Sequence, residues 1–78
     1  MLAAMETTHT LKTDTDLGRV IRERRRTLGM TQGDLSNLSG IAQPNLSKIE
    51  RGEADARLDT YLRICFLLGI DLVAVPRS

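Results

Sequence analysis

The sequence predicts an all-α fold, a bundle of four to five short helices that ends in a short C-terminal strand. Apolar residues recur at helical spacing along most of the chain, and Thr or Gly residues stand where these stretches begin and end. The 78 residues are enough for one compact domain, and a core of this size gains stability from oligomerisation. We divide the chain into a tail (1–12), a helical domain (13–69) and a C-terminal strand (70–78).

The N-terminal part of the chain predicts a flexible tail followed by the first helix. Residues 1–12 are Thr-rich without a hydrophobic period, and Met1–Met5 lacks the length and basic flank of a secretory signal. Thr13 is a suitable N-cap, and the aspartates after it favour the positive end of a helix. The helix is expected to end at Gly29. Its apolar stripe consists of Leu17, Val20, Ile21 and Leu28.

Two shorter helices follow, joined by a tight turn that contains a glycine. The first is expected between Thr31 and Gly40, and the second from about Gln43 to Glu50, with Gly52 as its stop. Such a pair matches the helix-turn-helix unit, whose second helix reads DNA. The apolar residues of the pair are Leu35, Leu38, Leu46 and Ile49.

A fourth helix is expected from about Leu58 to Leu68. It is apolar nearly all round, so it must be buried on more than one side. Cys65, which lies within it, is expected to be a small core residue rather than a reactive thiol.

The segment after the fourth helix, Ile70–Val75, is strand-like and ends at Pro76. A strand must pair its backbone N–H and C=O groups, and the chain offers no second strand. We therefore expect two copies to pair these strands antiparallel and to cover the outer side of the fourth helices; a tail folded back on its own core is the monomeric alternative. The residues assigned to dimerisation are Ile70, Leu72, Val73 and Val75, beside Leu62, Phe66 and Leu68.

Charge is distributed unevenly along the chain. Residues 17–52 hold seven basic and three acidic side chains, a net charge of +4, whereas the whole chain carries +1. This asymmetry suggests an anionic partner that docks on one part of the domain, although an arginine-rich solvated helix face would give the same charge distribution.

The number of cysteines and the spacing of reactive and metal-ligating residues argue against several classes of protein. A single cysteine allows no internal disulfide, and no Cys or His cluster has metal-ligand spacing, so we expect a cytoplasmic protein without metal or cofactor. If the helix pair reads DNA, the protein is expected to be nucleoid-associated. No segment is long and apolar enough for a membrane span. Ser47, Cys65 and His9 form no nucleophile–base grouping, so the chain is not expected to be an enzyme.

Two stretches of the chain resemble known regulators. Residues 21–32 (IRERRRTLGMTQ), together with Gly40-Ile41 and residues 47–52 (SKIERG), resemble the Xre/Cro family of helix-turn-helix regulators. Residues 58–64 (LDTYLRI) and 68–73 (LGIDLV) are similar, more narrowly, to HipB-type antitoxins. The resemblance covers roughly residues 17–75 and implies a lambda-repressor-like fold.

The resemblance implies a homodimeric transcriptional repressor that binds an inverted repeat in double-stranded DNA. Similarity to HipB-type antitoxins further implies a HipA-like serine/threonine kinase toxin as partner and autoregulation of a shared toxin–antitoxin operon. Two alternatives stay open: a stand-alone Xre-type regulator, such as a prophage repressor, and an interaction module that has lost DNA binding. The polar third helix argues against the interaction module, because protein-binding helices present apolar or aromatic anchors.

Family positions assign DNA contacts to the polar face of the third helix. Gln43 is suited to bidentate pairing with adenine, Ser47 to several base edges, and Lys48 to guanine or a phosphate. Ala42 stands in place of the usual Ser or Thr cap, and Pro44 favours a helix that starts one residue later. The predicted DNA-binding residues are Gln32, Gln43, Pro44, Asn45, Ser47, Lys48 and Arg51.

The resemblance also implies roles for residues outside the third helix. Gln32, at the start of the second helix, is expected near both a phosphate and Gln43. Arg25 and Glu50 match a pair that forms a structural salt bridge between the first and third helices. Ser36 is expected to bond to a carbonyl of its own helix. The arginines expected to face solvent or to steer phosphates are Arg22, Arg24 and Arg26.

Overall fold

The computed structural model describes residues 9–54 and 56–77. Within these ranges the chain folds into four helices: α1 (Asp14–Thr27), α2 (Gln32–Ser39), α3 (Gln43–Glu50) and α4 (Leu58–Leu68). The predicted all-α class is confirmed, at the lower end of the expected number of helices. Residues 1–8 of the expected tail lie outside the described ranges, and residues 9–12 are exposed and outside any helix.

The expected C-terminal strand does not form within the single chain. Ile70 is still held by the end of α4, because its N–H donates to the carbonyl of Cys65 at 2.8 Å. Residues 71–77 are exposed and have no regular secondary structure. A strand forms only when a second strand supplies partners for its N–H and C=O groups. Pairing of this segment with a second copy therefore stays a prediction.

Both α1 and α2 begin with a capping box. Asp16 N donates to Thr13 Oγ1 at 3.1 Å, and Thr13 N donates to Asp16 Oδ2 at 3.2 Å. The same two bonds join Thr31 and Asp34, at 3.0 and 2.9 Å. Each box provides partners for N–H groups that a helix start leaves unpaired. The residues before both helices are thus the caps that the sequence predicted.

The third helix begins at Gln43 without a side-chain cap, because Ala42 precedes it. Pro44 stands in the first turn, where its missing N–H removes no bond within the helix. The one-residue delay that Pro44 favoured is not seen. The helix ends before Arg51, and Gly52 follows with a φ of +73°.

The core lies where the four helices meet, because α1 and α2 each pack against both α3 and α4. Cys65 is part of it, and burial raises the pKa of its thiol, so it serves as a packing residue. Every helix contributes to the buried apolar cluster, which consists of Ile21, Leu35, Leu46, Ile49, Tyr61, Ile64, Cys65 and Leu68.

Two glycines set how closely the end of α3 approaches α1. A Cβ on Gly18 would stand 2.4 Å from the carbonyl oxygen of Ile49 and 2.8 Å from that of Glu50. A Cβ on Gly52 would stand 2.5 Å from the Cα of Thr15. Only glycine permits this backbone approach, so these two positions determine how α3 is held against α1.

Three leucines lie where the helical period did not place them. Leu28 is exposed because α1 ends one residue earlier and the chain turns away. Leu38 is exposed because the narrow inward face of the eight-residue α2 is occupied by Leu35 and Ser39. Leu68, expected on the outer side of α4, is instead buried in the core.

The outer side of α4 carries an exposed apolar surface. Leu58, Leu62 and Phe66 lie four residues apart and form what we call the α4 stripe. Phe66 is 83% exposed, an unusual fraction for an aromatic side chain. Leu72, Val73 and Val75 beyond the helix are also exposed. Among the described residues, no helix combines the length and apolarity that crossing a membrane requires.

Candidate nucleic-acid interface

The outer face of α3 is polar and accessible. Leu46, Ile49 and Glu50 are buried on its inner side. The remaining positions turn outward over a little more than half the circumference at 100° per residue. Ser47 is half-buried, and the residues that are exposed are Gln43, Pro44, Asn45, Lys48 and Arg51. The structure thus places six of the seven predicted DNA-binding residues on one face of a single helix, and a single α-helix fits into a major groove.

The seventh predicted residue, Gln32, lies at the beginning of α2, close to the beginning of α3. Gln43 Oε1 is only 3.9 Å from the point where a Cβ on Gly33 would stand. The side chain of Gln43 therefore reaches the first turn of α2. Helix N-termini carry N–H groups without partners inside the helix and the positive end of the helix dipole, which together favour an anion such as a phosphate.

Arg25 and Glu50 form a buried ion pair between α1 and α3. Arg25 Nε donates to Glu50 Oε2 at 2.7 Å, and Arg25 Nη2 donates to Glu50 Oε1 at 3.0 Å. Arg25 Nη1 donates to the carbonyl of Met30 at 2.7 Å and so holds the loop before α2. The hydrogen bond to Glu50 raises the pKa of Arg25. Both residues are less than a tenth exposed, which removes Arg25 from the accessible surface.

Glu50 has a further partner that the sequence did not indicate. Gln32 Nε2 donates to Glu50 Oε1 at 3.1 Å across 18 positions of the chain. No sequence rule pairs a glutamine at a helix start with a glutamate at the end of the next helix. The link becomes visible only when α1, α2 and α3 are brought together.

Two predicted DNA-binding residues of α3 bond to each other. Arg51 Nη1 donates to Ser47 Oγ, one turn earlier on the same face. Arg51 Nε also lies 3.3 Å from Glu53 Oε1, and both side chains of this ion pair are more than half exposed. Such an exposed ion pair is weak. The guanidinium of Arg51 can therefore leave Glu53 and bind a phosphate instead with little loss of free energy.

The three α1 arginines that were expected to face solvent or to steer phosphates differ in their surroundings. Arg22 and Arg26 are exposed, as expected for residues that face solvent. Arg24 is instead half-buried and does not simply face solvent, because its Nε donates to the carbonyl of Leu68 at 2.8 Å; phosphate steering by Arg24 stays a prediction. That bond provides a donor for the C-terminal end of α4, where helical carbonyls lack partners. Arg24 therefore joins α1 to α4.

Two serines that the sequence did not single out for this role hold the turn between α2 and α3. Ser36 Oγ donates to the carbonyl of Ile41 at 2.6 Å, and the N–H of Ile41 donates to Ser39 Oγ at 3.2 Å. Ser36 thus bonds to a carbonyl of the turn and not, as expected, to a carbonyl of its own helix. The position of Ser39 just before Gly40 was an available signal, since serines near helix ends often bond to turn backbone.

Residues 16–77 match the model of a protein family described as helix-turn-helix domain. An uncharacterized HTH-type transcriptional regulator of Haemophilus influenzae is 40% identical over 52 residues, which cover 67% of this chain and 53% of that protein. A putative HTH-type transcriptional regulatory protein of Thermoplasma volcanium is 34% identical over 56 residues, which cover 72% of this chain and 18% of that protein. The chain thus spans about half the length of the first relative and under a fifth of the second.

Solved structures of HipB share the fold of this chain. A HipB variant in complex with an O2 20mer superposes with a TM-score of 0.79 at 22% identity, and the match covers 92% of this chain and all 100% of that one. HipB in a HipA-HipB-O2-O3 complex superposes with a TM-score of 0.78 at 22% identity, with 91% and 100% covered. At this level of identity the likeness establishes the fold.

Proposed function

Because this chain belongs to the helix-turn-helix domain family, we propose that it binds double-stranded DNA sequence-specifically and represses transcription. The observation that carries the proposal is the outer face of α3, which is exposed and polar while its inner face is anchored in the core. A helix anchored in this way presents donors and acceptors to base edges without having to be ordered first.

We assign base contacts to the N-terminal half of α3. Gln43 offers an amide that pairs in bidentate fashion with N6 and N7 of adenine, and Asn45 offers a second amide. Pro44 presents an apolar ring to a thymine methyl. Ser47 and Lys48 reach other base edges, Lys48 preferring guanine O6 and N7.

Phosphate contacts are assigned to residues around this face. Gln32 and the N–H groups at the start of α2 favour one phosphate. Arg51 binds a second phosphate once its exposed ion pair with Glu53 has opened. Arg22 and Arg26 add long-range attraction to the DNA, which depends on salt.

We propose that the active form is a homodimer that binds an inverted repeat. The α4 stripe and the exposed residues of the C-terminal segment leave apolar surface that a second copy would cover. In this arrangement Ile70, Leu72, Val73 and Val75 lie in strands that pair antiparallel, which supplies the missing strand partner. Two-fold symmetry then sets the α3 helices roughly 34 Å apart, one turn of DNA.

We further propose that the chain is the antitoxin of a toxin–antitoxin operon, bound by a HipA-like kinase and repressing its own genes at the nucleoid. The proposal is supported by the resemblance of residues 58–73 to HipB-type antitoxins and by the shared fold with HipB in a HipA-HipB complex. Co-expression of a tagged chain with the product of the adjacent gene tests it. Co-purification of a kinase-like protein supports the antitoxin role, and purification of the tagged chain alone supports a stand-alone regulator.

Selection from a library of random double-stranded 30mers tests the DNA-binding function. We expect the full chain to enrich duplexes with an inverted repeat, and to bind them at least a thousandfold more tightly than random DNA at physiological salt. Sedimentation of the complex should show two protein chains per duplex. Recovery of duplexes with no shared sequence, at an affinity equal to that for random DNA, would refute sequence-specific recognition.

A further inference from the structure

We propose that Glu50 is a positioning residue for DNA recognition, which acts by holding the amide of Gln32 in one orientation at the edge of α3. The inference rests on the proposed DNA binding and assigns a recognition role to a residue that is only 6% exposed. A buried carboxylate at the end of α3 has no direct access to DNA. Any influence that it has on recognition must pass through a neighbour.

Three hydrogen bonds from described residues converge on the Glu50 carboxylate. Two come from the guanidinium of Arg25 on α1, and the third comes from Gln32 Nε2 on α2 at 3.1 Å. One carboxylate therefore joins three helices. Throughout the part of the chain that the structure describes, no buried side-chain nitrogen or oxygen lacks a partner, so this network is fully satisfied.

The chemistry of the carboxylate selects the orientation of the Gln32 amide. Glu50 is paired with a guanidinium and only accepts hydrogen bonds, so Gln32 must turn its amide nitrogen towards it. A rotation of the amide by 180° would bring the Gln32 carbonyl oxygen against Glu50 Oε1, two acceptors without a proton between them. Glu50 thereby excludes one of the two amide orientations.

This selection matters because of where Gln32 lies. It is the first residue of α2 and precedes Gly33, where a Cβ would stand 3.9 Å from the Oε1 of Gln43, the first residue of α3. With one N–H engaged by Glu50, Gln32 keeps a second N–H, suited to a phosphate oxygen, and a carbonyl oxygen, suited to an amide N–H of Gln43. A side chain held in this state before DNA arrives loses little conformational freedom on binding.

A double-mutant cycle between Gln32 and the ion pair tests the proposal. Glu50→Gln alone would leave Arg25 buried without its counter-charge, so the ion pair is replaced as a unit by Arg25→Met/Glu50→Met, a change that cores often tolerate. Gln32→Met removes the amide and keeps the length of the side chain. These variants, their combination and the wild-type chain are compared by melting temperature and by affinity for an operator selected by the wild type.

We expect Gln32→Met to weaken operator binding about tenfold, the usual worth of a hydrogen bond to a charged group. The Arg25→Met/Glu50→Met variant should lose a similar factor, and the combination should lose no more than either change alone. Asn37→Ala, on the exposed side of α2, is the matched control and should bind as the wild type does. A purely structural role for Glu50 predicts instead that the losses multiply, or that the folded Met/Met variant binds normally, and either result overturns the inference.

Nuclear magnetic resonance of the free protein provides a readout that does not depend on DNA. One Nε2 proton of Gln32 should exchange slowly with solvent in the wild type and rapidly in the Arg25→Met/Glu50→Met variant. Rapid exchange in the wild type would overturn the inference regardless of DNA binding. If the wild type enriches no duplex, the proposed function fails with it; if it enriches an operator and the losses multiply, only the role of Glu50 fails.

Discussion

Replacing Arg25 by Met tests how α1 and α3 are held together. The substitution keeps the aliphatic stem and removes the guanidinium, so Glu50, whose side chain is 2% exposed, remains as a charge without its counter-ion. Breaking a buried ion pair in this way costs about 3–5 kcal/mol. The carbonyl of Met30 loses its donor as well, because Arg25 Nη1 binds it at 2.7 Å.

This loss is large for so small a domain. Domains of this kind are stable by roughly 5–10 kcal/mol, and each kcal/mol corresponds to about 4–8 °C in Tm. We therefore expect Arg25→Met to lower the Tm by at least about 12 °C, measured by circular dichroism and confirmed by the midpoint of urea unfolding. DNA affinity measured well below the lowered Tm should fall as well, because the end of α3 is no longer held by α1.

Two controls separate the ion pair from a general effect of losing an arginine. Arg22→Met, on the exposed side of the same helix, should change the free energy of unfolding by less than about 0.5 kcal/mol. Arg25→Met/Glu50→Met should recover much of the lost stability, since no charge is left buried alone. An Arg25→Met variant that melts at the wild-type temperature and loses only DNA binding would refute a structural role and make Arg25 a phosphate ligand.

Other parts of the structure can be tested in the same way. Gln43→Ala should weaken binding to the selected operator by about 1–3 kcal/mol and binding to random DNA far less; equal losses would show that it reads no base. Deletion of residues 70–78 should give a monomer with weak DNA binding, and a truncated dimer of unchanged affinity in sedimentation would contradict the strand-mediated dimer. Gly18→Ala should destabilise by at least about 2 kcal/mol, because its Cβ meets a backbone carbonyl at 2.4 Å. Gly33→Ala should instead raise the free energy of unfolding by up to about 1 kcal/mol, because the new Cβ would meet no atom closer than 3.6 Å. Equal urea midpoints for Gly18→Ala and Gly33→Ala would argue against this difference in packing. A backbone hydrogen bond from Lys12 lowers the pKa of Asp16. The stability that Asp16 supplies is therefore present above its ordinary pKa and is lost as the pH falls through the lowered pKa. The difference in Tm between the wild type and Asp16→Asn should close below about pH 4, and a difference that persists would contradict this assignment.

Much of the candidate site could be predicted from the sequence because it depends on a single helix. Gln43 and Lys48 face outward because Leu46 and Ile49 occupy the inward face of the same helix. This helical spacing of apolar residues can be recognised within eight consecutive residues of the sequence. The support beneath the site was less predictable. The pairing of Arg25 with Glu50 was implied only by family resemblance, and the bond from Gln32 to Glu50 was not foreseen.

Local sequence signals were sufficient to locate the beginnings of α1 and α2, because a capping box joins residues only three positions apart. Thr13 and Thr31 cap α1 and α2 through aspartates that are their near neighbours, and no distant contact is needed for either bond. The all-α class followed from the same local signals.

Which side chains meet across the helices could not be predicted from local signals, because it depends on the tertiary structure. Gln32 reaches Glu50 over 18 positions and Arg24 reaches Leu68 over 44, and these contacts depend on how closely α2 packs against α3 and α1 against α4. That packing depends in turn on backbone contacts such as the approach of α3 to Gly18. Such contacts produce no periodic pattern of residues in the sequence. Helical periodicity predicts which way a residue points along its own helix, but the residue that stands opposite is determined by the angle and separation of two helices.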